Sequence, residues 1–292
     1  MIKFALLKVN LIILLREAQI FLKMSLIETF SLDARILLEF IINKPAKYIL
    51  MHKKNFISNV KTEKFKFYLY RRALGEPLSY IIKKKEFFGK SFNLTYDTLV
   101  PRYDSEVLIK SIIYILPKYK ICYRFLDLGT GSGCLIGILL VEYCNSIGMS
   151  IDISYSAISQ AMKNLFYLGC FSRSNSFIGS WCSPLIIYDS FDFILANPPY
   201  IVQKNISFLS INVKHYDSFL SLSGGFDGLL CYRSLSIEVK SYLNPGGFIV
   251  LEIGKYQEES IIIIFKKNGW RLLVKKKDFT GKIRSLIFYQ NN

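Results

Sequence analysis

Histidine is scarce in this chain of 292 residues: His52 and His215 are the only two, and neither completes a zinc-ligand spacing. The six cysteines, Cys122, Cys134, Cys144, Cys170, Cys182 and Cys231, include no C-x-x-C pair, so neither a zinc site nor a dithiol redox motif is written here. A reduced, metal-free cytoplasmic protein is the simplest expectation. Long apolar runs are missing too. Ser260 and Lys266 bracket even Ile261 to Phe265, far short of the ~18 residues a membrane helix needs, so no stable membrane association is expected. Lys3 and Lys8 ahead of Leu11 to Leu15 imitate a secretory leader, but no small-residue cleavage site precedes Arg16 and Glu17. Acidic residues are few, 22 against 38 Lys and Arg, which leaves a formal charge of +16. That charge suits an acidic or nucleic-acid-bearing partner, and a coding bias toward Lys, Ile, Asn, Tyr and Phe would produce it equally well. With 51% hydrophobic residues the chain has ample material for a core, and disorder is not expected.

The first part of the chain is patterned as helix. Ile36, Leu37, Phe40 and Ile41 recur at helical spacing behind Ser31 and Asp33 as cap and first-turn residues. A second helix is expected from about Glu63 to Leu74, closed by Gly75-Glu76-Pro77. Leu78, Tyr80 and Ile82 then alternate, as do Phe92 and Leu94, on either side of Gly89-Lys90, which predicts a linking hairpin. From Arg124 onward strands and helices alternate. Strands are expected at Phe125–Leu128, Met149–Asp152, Phe191–Ala196, Phe248–Ile253 after the Pro245-Gly246-Gly247 turn, and Ser285–Tyr289. Helices are expected to about Tyr143, near Ser156–Leu168 and near Leu229–Tyr242. That order predicts an α/β, Rossmann-like fold with a doubly wound, mainly parallel sheet, and ligands beyond the carboxyl ends of its strands. The expected organisation is a helical domain over residues 1–75, a hairpin linker over 76–100 and an α/β domain over 101–292.

Three pieces carry chemistry. Asp127-Leu128-Gly129-Thr130-Gly131-Ser132-Gly133 directly follows a buried strand and opens a helix; glycines there permit a tight turn and let a ligand approach bare backbone. Alone, such a turn could cradle a phosphate, a dinucleotide or another cofactor, or simply reverse the chain. Asp152, ending the next strand, is placed to accept hydrogen bonds from two ribose hydroxyls. Asn197-Pro198-Pro199-Tyr200 falls beyond the carboxyl end of Phe191–Ala196. Its prolines fix φ, remove two N–H donors and leave carbonyl acceptors in a rigid loop, Asn197 adds another acceptor, and Tyr200 offers a flat face. Two acceptors gripping a planar NH2 would aim its nitrogen at a methyl sulfonium.

At these residues the sequence resembles the peptide chain release factor glutamine methyltransferases, the PrmC/HemK family of class I methyltransferases. The resemblance runs in order through SLDARILLEF at Ser31, RRALGEPLSYI at Arg71, EFFGKSFNL at Glu86, LVPRYDSE at Leu99, FLDLGTGSGCL at Phe125, IDIS at Ile151, NPPYI at Asn197, GGFDGLLCYR at Gly224 and LNPGGFIVLEIG at Leu243. It implies S-adenosyl-L-methionine as methyl donor and, as protein substrate, a release factor whose Gly-Gly-Gln glutamine is methylated on its side-chain amide nitrogen; nucleic acid is not required. It implies a release-factor-recognition role for the N-terminal helices. By position it assigns Asp127, Gly129, Thr130, Gly131, Gly133, Asp152, Trp181 and Asn197 to the cofactor. Asn197, Pro198, Pro199 and Tyr200 go to the substrate amide, with Asn197, Pro198 and Tyr200 catalytic. The chain departs from the usual pattern at Tyr103 and Ser105, where Pro and Thr are usual, at Ser180 before Trp181, where Asp is usual, and at Tyr216-Asp217-Ser218. Arg102 and Glu106 read either as pocket residues or as an ion pair at a helix entry. The competing activities are a DNA or RNA adenine amino-methyltransferase, which needs the same grip on a planar amine, and a ribosomal-protein glutamine methyltransferase. A silent S-adenosylmethionine-binding module is the non-enzymatic alternative.

Overall fold

The computed structural model describes residues 10–117, 122–186 and 190–290. Lys3 and Lys8 of the leader-like run lie outside them. The chain divides into two compact units, Met1–Lys83 and Lys84–Asn292.

The first unit is helical: α1 (Leu11–Met24), α2 (Phe30–Ile42), α3 (Ala46–Met51), α4 (Asn59–Ala73) and the single turn α5 (Leu78–Ile81). Asn10 caps α1 by accepting the Ile13 N–H at 3.0 Å, satisfying one of the donors a helix start leaves open. Leu14, Ala18, Leu22, Leu37, Leu38 and Phe65 form its core. Inside that apolar setting Arg72 donates from Nε to Asp33 Oδ2 at 2.6 Å and from Nη1 to the Glu76 carbonyl at 3.2 Å, so the buried charges of α2 and α4 neutralise each other. Two local expectations are corrected. The residue ahead of α2 is Thr29, whose hydroxyl donates to Asp33, and Ser31 lies inside the helix. The alternation of Leu78, Tyr80 and Ile82 is not a strand: after Pro77 the chain takes a helical turn that buries the adjacent Tyr80 and Ile81.

The second unit opens with the hairpin β1 (Lys84–Phe87) and β2 (Lys90–Asn93). Its two-residue loop is Phe88-Gly89, both with positive φ, one position earlier than Gly89-Lys90. Phe87 and Phe92 enter the core below, and the Asn164 side chain bonds both the N–H and the carbonyl of Asn93 at 2.9 Å.

There follow α6 (Glu106–Ile115), β3 (Arg124–Leu128), α7 (Cys134–Glu142), β4 (Ile147–Asp152), α8 (Tyr155–Tyr167), β5 (Ser174–Ile178) and β6 (Phe191–Ala196). The last elements are α9 (Ile211–Lys214), α10 (Phe219–Leu222), α11 (Leu230–Glu238), β7 (Leu243–Glu252), α12 (Glu258–Lys267), β8 (Trp270–Lys277) and β9 (Ile283–Gln290). The seven-stranded sheet has the order β5-β4-β3-β6-β7-β9-β8, parallel except that β9 runs antiparallel to both neighbours. Successive side chains of the central strands feed two layers. Phe125, Phe193, Val250 and Ile287 pack with α6 and α7, while Leu126, Ile194, Ile249 and Phe288 pack with α11 and α12. The fold is therefore the expected α/β Rossmann-like one. Pro245-Gly246-Gly247 is not a turn before β7 but an irregularity within it, where the register with β6 shifts.

The Lys275-Lys276-Lys277 run lies on β8, a sheet-edge strand, where charge opposes pairing with another chain. Lys275 pairs with Glu259 at 2.8 Å and Lys276 stands 3.5 Å from the centre of the Tyr114 ring. All six cysteines are free thiols. Among the described residues no helix is long and apolar enough to cross a membrane.

Candidate active site

Strand register sets a row of residues along one rim of the sheet. Leu128 of β3 aligns with Ile151 of β4 and with Ala196 of β6, and Ala196 aligns with Leu251 of β7. The next residue on each strand is Gly129, Asp152, Asn197 and Glu252. Four adjacent carboxyl ends thus bring the glycine loop, two carboxylates and the Asn-Pro-Pro-Tyr loop to the same rim.

The glycine loop bends back on β4: the N–H groups of Gly129 and Thr130 both donate to the Ile151 carbonyl, at 2.8 and 3.1 Å. Gly129, Gly131 and Gly133 all have positive φ, which a side chain disfavours. A Cβ on Gly133 would sit 3.0 Å from that of Ala161, whereas one on Gly131 would meet nothing within 4 Å. Gly131 therefore owes its glycine to backbone conformation, and the space beside it is open. Asp152 Oδ2 accepts the Gly131 N–H and Oδ1 accepts the Ser154 N–H, each at 2.9 Å, leaving further lone pairs on both oxygens. Asp127 is fully buried; its Oδ2 accepts the Thr130 hydroxyl at 2.7 Å and its Oδ1 has no partner. Burial pushes its pKa up to about 7 against the hydrogen bonds of Thr130 and Ile136, with Asp152 adding to the rise. Trp181, at φ 47°, stands beside Gly129, whose added Cβ would lie 3.8 Å from the indole ring.

The Asn-Pro-Pro-Tyr loop is held from three sides. Asn197 Nδ2 donates to the Ser105 hydroxyl oxygen at 3.3 Å. The Tyr200 carbonyl accepts from Gln257 Nε2 at 3.0 Å, and the same nitrogen reaches the Gly228 carbonyl at 3.2 Å. A Cβ on Gly228 would lie 2.5 Å from the Tyr200 oxygen and one on Gly224 2.8 Å from the Tyr200 Cα. The glycines of the Gly224 stretch thus let it lie directly against the loop. Pro198 is buried; Tyr200 packs on the sheet core, where burial raises its phenol pKa. Leu99, Arg102, Asn197, Pro198, Tyr200 and Glu252 line a small cavity. Arg102 pairs with Asp217 at 3.5 Å and Glu106 with Lys110 at 3.1 Å, so Arg102 reaches the cavity and Glu106 serves α6 and the hairpin. Glu252 is fully buried and its pKa is raised to about 7 by burial, against the Ser105 hydroxyl and the nearby Arg284 and Arg102.

The sequence reading passed over Glu252 and Gln257. Glu252 is the polar residue that ends an otherwise apolar strand, the same signal that Asp152 gives; Gln257 carries no local signal.

A model of the PrmC N-terminal domain matches residues 14–82. A release factor glutamine methyltransferase of Caulobacter vibrioides is 32% identical over 261 residues, covering 89% of this chain and 90% of its own. The chain belongs to the release factor glutamine methyltransferase family. A second member, from Rhodospirillum rubrum, is 32% identical over 91% of this chain and 81% of its own. A bifunctional methyltransferase of Rickettsia felis is 33% identical over 90% of this chain but only 54% of its own, so the chain spans about half the length of such relatives. The solved catalytic domain of hMettl16, in complex with a MAT2A 3′UTR hairpin, shares the fold at TM-score 0.52 and 13% identity, over 82% of this chain and 86% of that one. Two of the family departures take up contacts at the site: Ser105 holds Asn197, and Asp217 pairs with Arg102.

Proposed function

We propose that this chain transfers the methyl group of S-adenosyl-L-methionine to the side-chain amide nitrogen of the glutamine in the Gly-Gly-Gln tripeptide of a peptide chain release factor. The observation that carries the reading is the rim of adjacent strand ends, which sets the glycine loop and Asp152 beside Asn197-Pro198-Pro199-Tyr200. The site suits the cofactor on two counts: open space beside Gly131 for a ligand against bare backbone, and spare acceptor lone pairs on the half-buried Asp152 carboxylate.

S-adenosylmethionine would supply an electrophilic methyl group on a sulfonium. Asp152 would accept the two ribose hydroxyls through its spare lone pairs, Gly129, Thr130, Gly131 and Gly133 would line the ligand with backbone, and Trp181 would offer the adenosine an aromatic face. At the acceptor, Asn197 Oδ1 and the Pro198 carbonyl would each take one hydrogen of the amide NH2, fixing the plane of the nitrogen toward the methyl group. The Tyr200 ring would cover the amide face. Restricting the acceptor's rotation is what this chemistry needs from the protein, because an amide nitrogen shares its lone pair with the carbonyl and reacts only when held in line.

The functional division we infer follows the sequence reading: residues 1–75 recognise the release factor, 76–100 link, and 101–292 carry out transfer. With a release factor as substrate we also infer a cytoplasmic location. Mass spectrometry of a release factor incubated with the protein and S-adenosylmethionine tests the reading. One added methyl on the Gly-Gly-Gln glutamine is expected, and an unmodified glutamine beside a methylated nucleic acid would replace the reading with the adenine alternative.

A further inference from the structure

Arg284 is the second residue of β9, where its backbone already joins the end of β7: the Ile253 N–H donates to the Arg284 carbonyl at 3.0 Å. From there its guanidinium reaches in three directions. Nη1 donates to the Ile253 carbonyl at 3.3 Å, Nε donates to Asp278 Oδ2 at 3.2 Å, and Nη2 pairs with Asp104 Oδ2 at 3.2 Å. The side chain is only 16% exposed, so these bonds are partly shielded from solvent. A planar fork suits the task, since its donors point apart in one plane, an arrangement that a lysine ammonium does not reproduce.

The three partners differ in how firmly they stand. Asp278 is 1% exposed, and its Oδ1 accepts the Thr280 N–H at 2.8 Å, the Thr280 hydroxyl at 2.7 Å and the Lys282 N–H at 3.0 Å. It is an anchor closed within the loop between β8 and β9. Ile253 directly follows Glu252, which lines the cavity with Arg102, Asn197 and Pro198. Asp104 is the opposite case: its side chain is 40% exposed, and it lies in a short 3-10 turn, Tyr103–Ser105, at the entry to α6. Among the described residues, two ion pairs leave this stretch, Arg102 with Asp217 at 3.5 Å and Asp104 with Arg284. The second joins the turn to the strand ends.

That turn carries two groups of the site. Arg102 precedes it and lines the cavity; Ser105 closes it, and its hydroxyl oxygen accepts from Asn197 Nδ2 at 3.3 Å. A displaced turn therefore takes the partner of Asn197 with it. We propose that Arg284 is a positioning residue for methyl transfer: by tying Asp104 to Asp278 and Ile253 it holds the Tyr103–Ser105 turn in place and, through Ser105, the Asn197 amide. The inference rests on the reading of Asn197 as the group that holds the acceptor nitrogen. Gly131 and Asp152 are joined by a hydrogen bond of their own, so the loss of Arg284 falls on the acceptor and not on the cofactor.

The test compares Asp104→Ala, Asp104→Asn, Arg284→Lys and the double variant of Arg284→Lys with Asp104→Ala against the parent, using the acceptor that the parent protein methylates. Asp104→Ala cuts only the arm to the turn and is expected to lower kcat on the order of 10-fold with the KM for S-adenosylmethionine unchanged. Asp104→Asn keeps an oxygen for Nη2 and retains most of the rate. Arg284→Lys keeps the charge, loses the fork and falls at least as far as Asp104→Ala. The double variant falls no further than Arg284→Lys alone, because the two changes break one connection. The side-chain NH2 resonances of Asn197 shift in Asp104→Ala and Arg284→Lys and stay near their parent positions in Asp104→Asn, a readout that needs no turnover and decides if no acceptor is labelled. Parent kcat and parent resonances in Asp104→Ala, the result for an ion pair that contributes nothing, would overturn the proposal. So would losses that multiply in the double variant, or a fall in cofactor affinity equal to the fall in kcat. If Arg284→Lys melts below the assay temperature, Asp104→Ala, at a partly exposed position, decides alone. Methylation of a nucleic acid in place of the release factor would remove the glutamine reading, and the role of Arg284 would be decided on that acceptor.

Discussion

The Asp152 carboxylate accepts the backbone N–H of Gly131 at 2.9 Å, so the end of β4 and the loop after β3 form one hydrogen-bonded unit. Asp152→Ala is expected to act on ligand binding twice, by removing the acceptor for the ribose and by releasing Gly131. Affinity for S-adenosylmethionine should fall by about 1.5 to 3 kcal/mol, the range for hydrogen bonds to a charged group. Calorimetry on the folded variant checks this; unchanged affinity would remove Asp152 from the cofactor site.

Two glycines separate conformation from close approach. A Cβ at Gly228 would lie 2.5 Å from the Tyr200 carbonyl oxygen at a φ of 77°, so Gly228→Ala should destabilise the fold by about 1 to 3 kcal/mol and displace the Asn-Pro-Pro-Tyr loop. Gly131→Ala meets no protein atom within 4 Å and costs only the left-handed conformation, about 1 to 2 kcal/mol, while filling space assigned to the ligand. Thermal melting together with cofactor titration should show loss of stability with cofactor affinity largely kept in the first, and loss of cofactor affinity in the second. The reverse assignment would contradict the geometry.

Asp127 makes stability depend on pH. Its carboxyl ionises near 3.8 in the unfolded chain and at about 7 in the folded one, burial being the main cause. Between those values the folded protein holds a proton that the unfolded chain has released, so this contribution is complete below the unfolded pKa and is lost as pH rises through the folded one. The loss is on the order of 4 kcal/mol. Urea unfolding of the parent and of Asp127→Asn should therefore diverge as pH rises from about 4 to 7, the parent losing stability relative to the variant, and run parallel above that. Parallel curves across the whole range would show that Asp127 stays ionised.

Much of the fold was legible because its signals are local. The apolar strands β3, β6 and β7 and the glycine loop announce themselves in a few residues, whereas Pro77, read as closing one helix, also opens the turn α5, and α4 begins at Asn59, ahead of the expected Glu63. Edge strands were not. β5 buries none of its residues, β8 alternates in burial but reads in sequence as an apolar run followed by three lysines, and the hairpin was placed one residue late because Phe88 takes a positive φ that its side chain does not advertise. At the rim, Asp152 and Asn197 stood out by following apolar strands. Gln257 did not, because its role, bridging the carbonyls of Tyr200 and Gly228, depends on three segments distant in sequence.

Asn197→Ala should reduce kcat on the order of 100-fold or more while leaving cofactor affinity near that of the parent, since the lost oxygen would hold only the acceptor. Asn197→Asp keeps an acceptor oxygen and should retain part of the activity. Single-turnover transfer with the cofactor saturating separates these effects, and equal rates for parent and Asn197→Ala would make the loop structural.

The most direct test is methyl transfer measured in parallel to a release factor, to the same factor with the Gly-Gly-Gln glutamine changed to alanine, to free glutamine, and to duplex and single-stranded DNA. Labelling of the intact release factor alone is expected, because the glycines beside the glutamine let its backbone enter a narrow site that the remaining contacts hold closed around it. Equal labelling of the alanine variant, or labelling of DNA with the release factor untouched, would contradict the account.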